Sequence, residues 1–143
     1  MIKVCFIDSA EPPALISYVV IAVRHSGGWL FVRHRERGGY EMPAGHPESG
    51  ERSEEAAIRE LSEETGALTF TIEPVSYYCV EGAAGKRFGR LFFAEVESLG
   101  EIIDDKEIEG VRIFRRLPRD LSLPEVMTAL FRKAEAFFRY TQY

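Results

Sequence analysis

GHPESGERSEEAAIRELSEETGA, residues 45–67, is the stretch from which the rest of this chain can be organised. Ser53 is a good helix N-cap, and Glu54 and Glu55 follow it where carboxylates favour the positive end of a helix. Gly66 is a natural left-handed C-cap, so the helix should run for about 12 residues, roughly 18 Å. Side chains three and four apart share a helix face. Glu60, Glu63 and Glu64 should therefore converge, while Ile58, Leu61 and Thr65 turn to another side. Like charges so spaced cost an isolated helix roughly a few tenths of a kcal/mol per pair, and a divalent cation removes the conflict. Oxygen-only ligands suit magnesium or manganese, and magnesium commonly joins a few carboxylates to waters and phosphate oxygens. Glu51 precedes the helix and can fold back toward the acidic face, and Arg59 is placed to hold a neighbouring carboxylate in its planar fork. For the three glutamates alone, a solvated acidic face with no ligand is the competing account.

Upstream, Leu15 to Arg24 is rich in β-branched and aromatic residues and predicts a buried strand. His25-Ser26-Gly27-Gly28 reads as a turn into a second strand, Trp29 to Arg35, and Gly38-Gly39 ends the hairpin. Tyr40 to Gly50 reads as a Gly/Pro-rich loop. Downstream, Leu68 to Val80, Phe88 to Glu97 and Val111 to Arg116 are three further strand-like runs that complete a mixed sheet. Ser122-Leu123-Pro124-Glu125 has capping-box spacing with a proline in the first turn. Val126, Leu130, Ala134 and Phe137 then recur at helical intervals, so that helix should pack on the sheet, with Phe131, Phe137 and Phe138 in the core.

The whole chain sets wider limits. Its 143 residues suffice for one domain with a sizeable core, and 45% hydrophobic and 29% charged residues are ordinary for a soluble globular protein. A net charge of -5 disfavours a duplex nucleic-acid binder, which needs a basic field to displace counterions. Cys5 and Cys79 form no metal-ligand spacing and suggest no secreted disulfide framework. The N-terminus lacks a basic n-region and is broken by Pro12 and Pro13, and the apolar run Ala14 to Val23 is too short to span a bilayer. A soluble, cytoplasmic protein without membrane contact is expected.

In register, Gly45, Glu51, Arg59, Glu60, Leu61, Glu63, Glu64 and Gly66 match the Nudix box. That pattern is Gly, five residues, Glu, seven residues, Arg-Glu, a bulky aliphatic, any residue, Glu-Glu, any residue, Gly and a final bulky aliphatic. Ala67 departs from it at the last position, which concerns packing. Glu41-Met42-Pro43-Ala44-Gly45 resembles the family's Pro-Gly/Ala-Gly approach to the box, and Glu48 sits where many members carry an acid. The resemblance implies an α+β Nudix fold, a mixed β-sheet sandwiched between helices, over essentially the entire chain.

It also implies roles. Glu60, Glu63 and Glu64 would hold one or more Mg2+ ions, with Mn2+ as a substitute, joined by the backbone carbonyl of Ala44 or Gly45. Arg59 would orient them, Glu51 would belong to the catalytic set, and water would be the nucleophile. The general base is either a box glutamate or an acid of a later loop, where Glu107 is the candidate and Asp104, Asp105 and Glu109 are rivals. Arg33, Arg35 and Arg37, with Glu41, are candidates for binding substrate. Arg33 and Arg35 would share a sheet face if both lie on a strand, with exposed hairpin charge as the alternative. Tyr78, Phe88 and Phe92 could stack on a base, but aromatic residues in strands are more often core, and neither His34 nor His46 is required.

The implied activity is hydrolysis of a nucleoside triphosphate, such as an oxidised purine nucleotide, to the monophosphate and pyrophosphate, by a monomer or homodimer. Nucleoside-diphosphate sugars, dinucleoside polyphosphates and capped RNA ends are alternatives, because the box recognises diphosphate and metal alone. A nucleotide-sensing module without turnover should carry a damaged box, and here every box glutamate is present.

Overall fold

The computed structural model describes residues 1–141. Its elements are β1 (Lys3–Ile7), β2 (Tyr18–His25), β3 (Gly28–His34), β4 (Tyr40–Glu41), β5 (Ala44–Gly45), α1 (Ser53–Thr65), β6 (Ala67–Gly82), β7 (Gly85–Leu99), β8 (Ile108–Phe114) and α2 (Pro124–Thr141). One sheet runs in the order β1-β6-β7-β2-β3-β4, with β5 also paired to β2 and β8 to β3. Only β2 and β7 run parallel among these pairs, so the sheet is mixed as the sequence suggests.

Alternation along β2 divides the core into two layers. Val19, Ile21 and Val23 point to the side where Ala56, Ala57 and Leu61 of α1 pack. Val20 and Ala22 point the other way, into a layer with Met127, Leu130, Phe131 and Ala134 of α2. The sheet therefore lies between two helices, and a strand covered on both faces needs the continuous apolar run Val19–Val23. Phe131 is fully buried and meets the Trp29 ring edge-on at 5.0 Å, while Phe137 and Phe138 pack at the margin of this layer.

Several local expectations need correction. β1 was not anticipated: Lys3–Ile7 is short and its alternation breaks where Phe6 meets Ile7, and pairing with β6 supplies the stability. β2 begins at Tyr18, and Leu15 is almost fully exposed. The supposed loop Tyr40–Gly50 contains two short strands, because Glu41 pairs with Val32 while Ala44 and Gly45 pair with Val20 and Val19. β8 starts three residues earlier than the apolar run suggests, with a register shift opposite Arg33 and His34.

α1 has its expected C-terminus, with Gly66 left-handed at φ 76 and its N–H bonded to Ser62 O. A Cβ at Gly66 would crowd the backbone carbonyls of Gly100 and Glu101, so close approach as well as φ demands glycine. The N-cap is Arg52, not Ser53. Glu55 reaches back to accept the Arg52 N–H at 2.9 Å, and the Ser53 hydroxyl is engaged by Arg90 and Glu54 instead. α2 begins at Pro124, and Leu123, at φ 49, turns the chain into it. Among the described residues no helix is long and apolar enough to cross a membrane.

Candidate metal and nucleotide site

Pairing of β5 with β2 holds Ala44 and Gly45 against α1. The Ala44 N–H donates to Glu64 Oε1 at 3.1 Å, and Glu64 is 6% exposed. A Cβ built on Gly45 would fall on the Glu60 carboxylate. Backbone and acid thus share one small space, and only glycine leaves the acid its room. The segment that resembled a loop is a backbone wall facing two helix carboxylates.

Arg59 organises the remaining acids. Its Nε and one terminal nitrogen donate to the two oxygens of Glu51 at 2.8 and 2.9 Å. The other terminal nitrogen donates to Glu60 at 2.9 Å and to Glu63 at 3.1 Å, and the first also reaches the His46 carbonyl at 3.2 Å. The fork geometry anticipated from sequence is therefore realised, with Glu51 as its principal partner. A planar guanidinium can bind one carboxylate with two parallel bonds and still present a nitrogen to a second, which lysine cannot.

The three box glutamates do not meet in a single cluster. Among the described residues no group of three or more His, Cys, Asp or Glu side chains is drawn together tightly enough to hold a metal ion as it stands. Different donors direct them: one Arg59 nitrogen holds Glu63 and one oxygen of Glu60, while the Ala44 N–H holds Glu64.

Burial makes this charge costly. It pushes the Glu64 carboxyl up to about 9, against the opposing Ala44 N–H and helped by the charges of Glu60, Glu41 and Asp104. Burial likewise raises Glu60 to about 7, opposed by Arg59 and reinforced by Glu63. Glu51 moves the other way, to about 2, chiefly through its hydrogen bonds to Arg59. The same bonds hold the Arg59 guanidinium above its ordinary range. Glu51 thus takes most of the Arg59 cation, Glu60 shares what is left with Glu63, and Glu64 has only the Ala44 N–H.

Arg37 closes the opposite side. It grips the buried Glu41 with two bonds, at 2.6 and 3.1 Å. Tyr18 lies in the same field: burial and the charge of Glu41 push its phenol up to about 12, with smaller contributions from Glu64 and Glu60. Its ring meets His46 edge-on at 4.8 Å. Tyr18 escaped the sequence reading, because only the β2–β5 register, which pairs Val19 with Gly45, brings the preceding residue of β2 to His46 at the start of the box.

Arg33 and Arg35 do not join Arg37. Arg33 pairs with Glu109 at 3.4 Å and Asp120 at 3.3 Å and lies over the Tyr40 ring, while Arg35 donates to the Asp105 carbonyl at 2.9 Å. The strand ends at His34, so two-residue alternation does not extend to Arg35. Tyr78 and Phe92 are core residues, and Phe88 is half-buried.

The acidic turn before β8 approaches α1 from outside. Asp104 N–H donates to the Glu63 carbonyl at 2.9 Å, and the Asp104 charge is felt by both Glu60 and Glu64. Glu107 is exposed, its carboxylate 4.0 Å from His34 Nε2, and the adjacent Asp104 carboxyl raises it. Asp104 is thus the nearer acid to the box, and Glu107 its neighbour. His34 is buried with Nδ1 unpartnered, whereas His46 Nδ1 is 2.8 Å from the Ser17 carbonyl.

Comparison with known proteins agrees with this geometry. A NUDIX domain model matches residues 14–130. A Bacillus subtilis (strain 168) protein provisionally named 8-oxo-dGTP diphosphatase YtkD is 38% identical over 105 residues, which span 73% of this chain and 66% of that relative. Among solved structures, a glutamate-to-alanine mutant of the Bacillus subtilis pyrophosphohydrolase BsRppH superposes with a TM-score of 0.76 and 30% identity, covering 94% of this chain and 90% of that one. The MutT NUDIX hydrolase of Burkholderia pseudomallei shares the fold at a TM-score of 0.68 and 18% identity, over 81% of this chain and 95% of that one. With the family model spanning most of the sequence and the box glutamates set around Arg59 and Gly45, the chain belongs to the Nudix hydrolase family.

Proposed function

We propose that the chain, as one domain, is a divalent-metal-dependent pyrophosphohydrolase of nucleotides that converts a nucleoside triphosphate, with an oxidised purine nucleotide as the leading substrate, to the monophosphate and pyrophosphate. The observation that carries this reading is the fit of Glu60 and Glu64 against the Ala44–Gly45 backbone. Glu64 is buried with no cation paired to it, Glu60 is partly buried and shares the Arg59 guanidinium with Glu51 and Glu63, and the oxygen donors of both suit a hard cation. Glu60, Glu63 and Glu64, with the Gly45 carbonyl, would hold Mg2+ or Mn2+. When bound, such an ion neutralises phosphate charge and makes water a better nucleophile.

The chain's own residues do the rest. Glu51 fixes Arg59, and Arg59 in turn sets the orientation of Glu60 and Glu63. Glu41 anchors Arg37 close to the acids, and the exposed part of that guanidinium is free to meet a substrate phosphate. We assign proton acceptance to the Glu107 and Asp104 pair, because the neighbouring Asp104 carboxyl raises Glu107 and so makes it a stronger proton acceptor. The names of the two Bacillus subtilis proteins, a diphosphatase and a pyrophosphohydrolase, support diphosphate cleavage; the choice of oxidised purine rests on the first alone.

The test is a panel of dGTP, 8-oxo-dGTP, ADP-ribose and a dinucleoside polyphosphate incubated with magnesium and the protein, with products separated. Monophosphate plus pyrophosphate, released fastest from 8-oxo-dGTP, is the expected result. Faster cleavage of ADP-ribose or the dinucleoside polyphosphate would overturn the substrate, and no magnesium-dependent cleavage of any of them would overturn the activity.

A further inference from the structure

Cys5 and Cys79 are the only cysteines in the sequence, and the antiparallel pairing of β1 with β6 sets them directly opposite each other. Alternation fixes the direction in which they point. Val4 and Phe6 of β1, like Tyr78 and Val80 of β6, pack into the core layer under α2. The residues between them therefore project together from the other face of the sheet. Opposed residues on antiparallel strands have Cα atoms about 4.5–5.5 Å apart, within the roughly 4.4–6.8 Å that a disulfide spans. Their Cβ atoms stand at about 4.5–5.5 Å, so closure needs only a small approach. β1 is an edge strand bonded on one side, and it can supply that movement. Both thiols are free, one exposed and one buried.

The same face leads to a cavity outside the acidic site. Ile7 pairs with Tyr77, Tyr77 pairs with Arg90, and the Arg90 guanidinium lies 4.5 Å over the Tyr77 ring. Tyr77 and Arg90 line a cavity of about 480 Å³ together with Leu15, Ile16, Arg52 and Ser53. One wall of that cavity is the segment that follows directly from β1.

We infer that Cys5 and Cys79 form a modification site, closed to a cross-strand disulfide by a low-molecular-weight disulfide such as glutathione disulfide. The exposed Cys5 thiolate attacks a sulfur of glutathione disulfide, forming a mixed disulfide and expelling one glutathione. Cys79, after losing its proton, attacks the Cys5 sulfur, forming the internal bond and expelling the second glutathione. The two protein thiols lose two electrons and two protons, and the reagent takes them up as two glutathione thiols. The bridge staples β1 to β6 and fixes the start of the segment that walls the Arg90 cavity.

The experiment uses the full chain incubated with glutathione disulfide, followed by intact mass, non-reducing peptide mapping and thermal unfolding. The expected product is a monomer lighter by two hydrogens, with the Cys5 and Cys79 peptides linked and a raised Tm that dithiothreitol returns to its starting value, since the cross-link closes a long loop in the unfolded chain. Cys79→Ser should instead retain glutathione on Cys5. A stable glutathione adduct on wild-type Cys5 with Cys79 still free, or a product linked only between two chains through Cys5, would overturn the inference without the need for any variant.

Discussion

Gly45 and Glu60 compete for one volume: a side chain of any size at position 45 would occupy the place of the Glu60 carboxylate. Gly45→Ala should therefore displace Glu60 while leaving the core intact. Turnover should fall on the order of 100-fold, the scale of roughly 1 Å misplacements at reacting groups. Steady-state kinetics beside a melting curve checks this; unchanged turnover would show that Glu60 has room to spare.

Arg59→Lys keeps the positive charge and loses the fork. One ammonium cannot hold both oxygens of Glu51 while still reaching Glu60 and Glu63. We expect kcat to fall by about 10-fold or more. Glu51, depressed to about 2 in the wild type, contributes stability that is present above its ordinary value near 4.5 and lost as pH falls through about 2. In the variant that acid loss should be smaller and should end at a higher pH, which urea titrations between pH 5 and pH 2 will resolve.

Glu60 and Glu64 have the opposite sign. Their folded forms hold protons more tightly than the unfolded chain, so the contribution is complete below pH 4.5 and declines as pH rises, through about 7 for Glu60 and about 9 for Glu64. In chelator, the Tm should fall across pH 5 to 9, and magnesium should flatten that decline. Glu64→Gln, which can still accept the Ala44 N–H, should remove the upper part of the decline and most of the turnover while keeping the fold. An equally steep decline in the variant would place the cost elsewhere.

Asp104→Asn removes the carboxyl whose hydrogen bond and charge raise Glu107. If the pair accepts the proton, the acid limb of the kcat profile should move to lower pH, because Glu107 then loses its own proton more readily. Glu107→Gln should cut kcat by about 100-fold or more. An acid limb unmoved in Asp104→Asn would return the base to a box glutamate.

Leu61 tests the scaffold separately from the chemistry. It is fully buried between α1 and the sheet, so Leu61→Ala should cost about 2–5 kcal/mol. Chemical denaturation measures it, and a loss below 1 kcal/mol, roughly that of a surface change, would mean that α1 is not held by this layer.

What could be read in advance follows the range over which each feature is encoded. The end of α1 at Gly66 and the reach of Arg59 to Glu63 are local, set by helix spacing and side-chain geometry. The apolar run of β2 marked a buried strand and the spacing of Leu130 and Ala134 a helix packed on the sheet, while the sandwich between two helices came from the resemblance to the family. By contrast, the place of Tyr18 beside His46 depends on sheet register, which pairs residues far apart in sequence. Arg33 and Arg35 misled because alternation holds only while the strand lasts, and β3 stops at His34. The box glutamates were rightly placed on one helix, but their individual directions depend on Arg59 and the Ala44 N–H, partners that a helical wheel does not contain.

The most direct measurement is anomalous diffraction from crystals grown with Mn2+ and a non-hydrolysable nucleoside triphosphate analogue. A manganese peak bounded by the Glu60 and Glu64 carboxylates and the Gly45 carbonyl, in contact with the analogue's phosphates and lost in Glu64→Gln, is the predicted result. An ordered analogue whose phosphates lie away from those groups, with no manganese between Glu60 and Glu64, would contradict it.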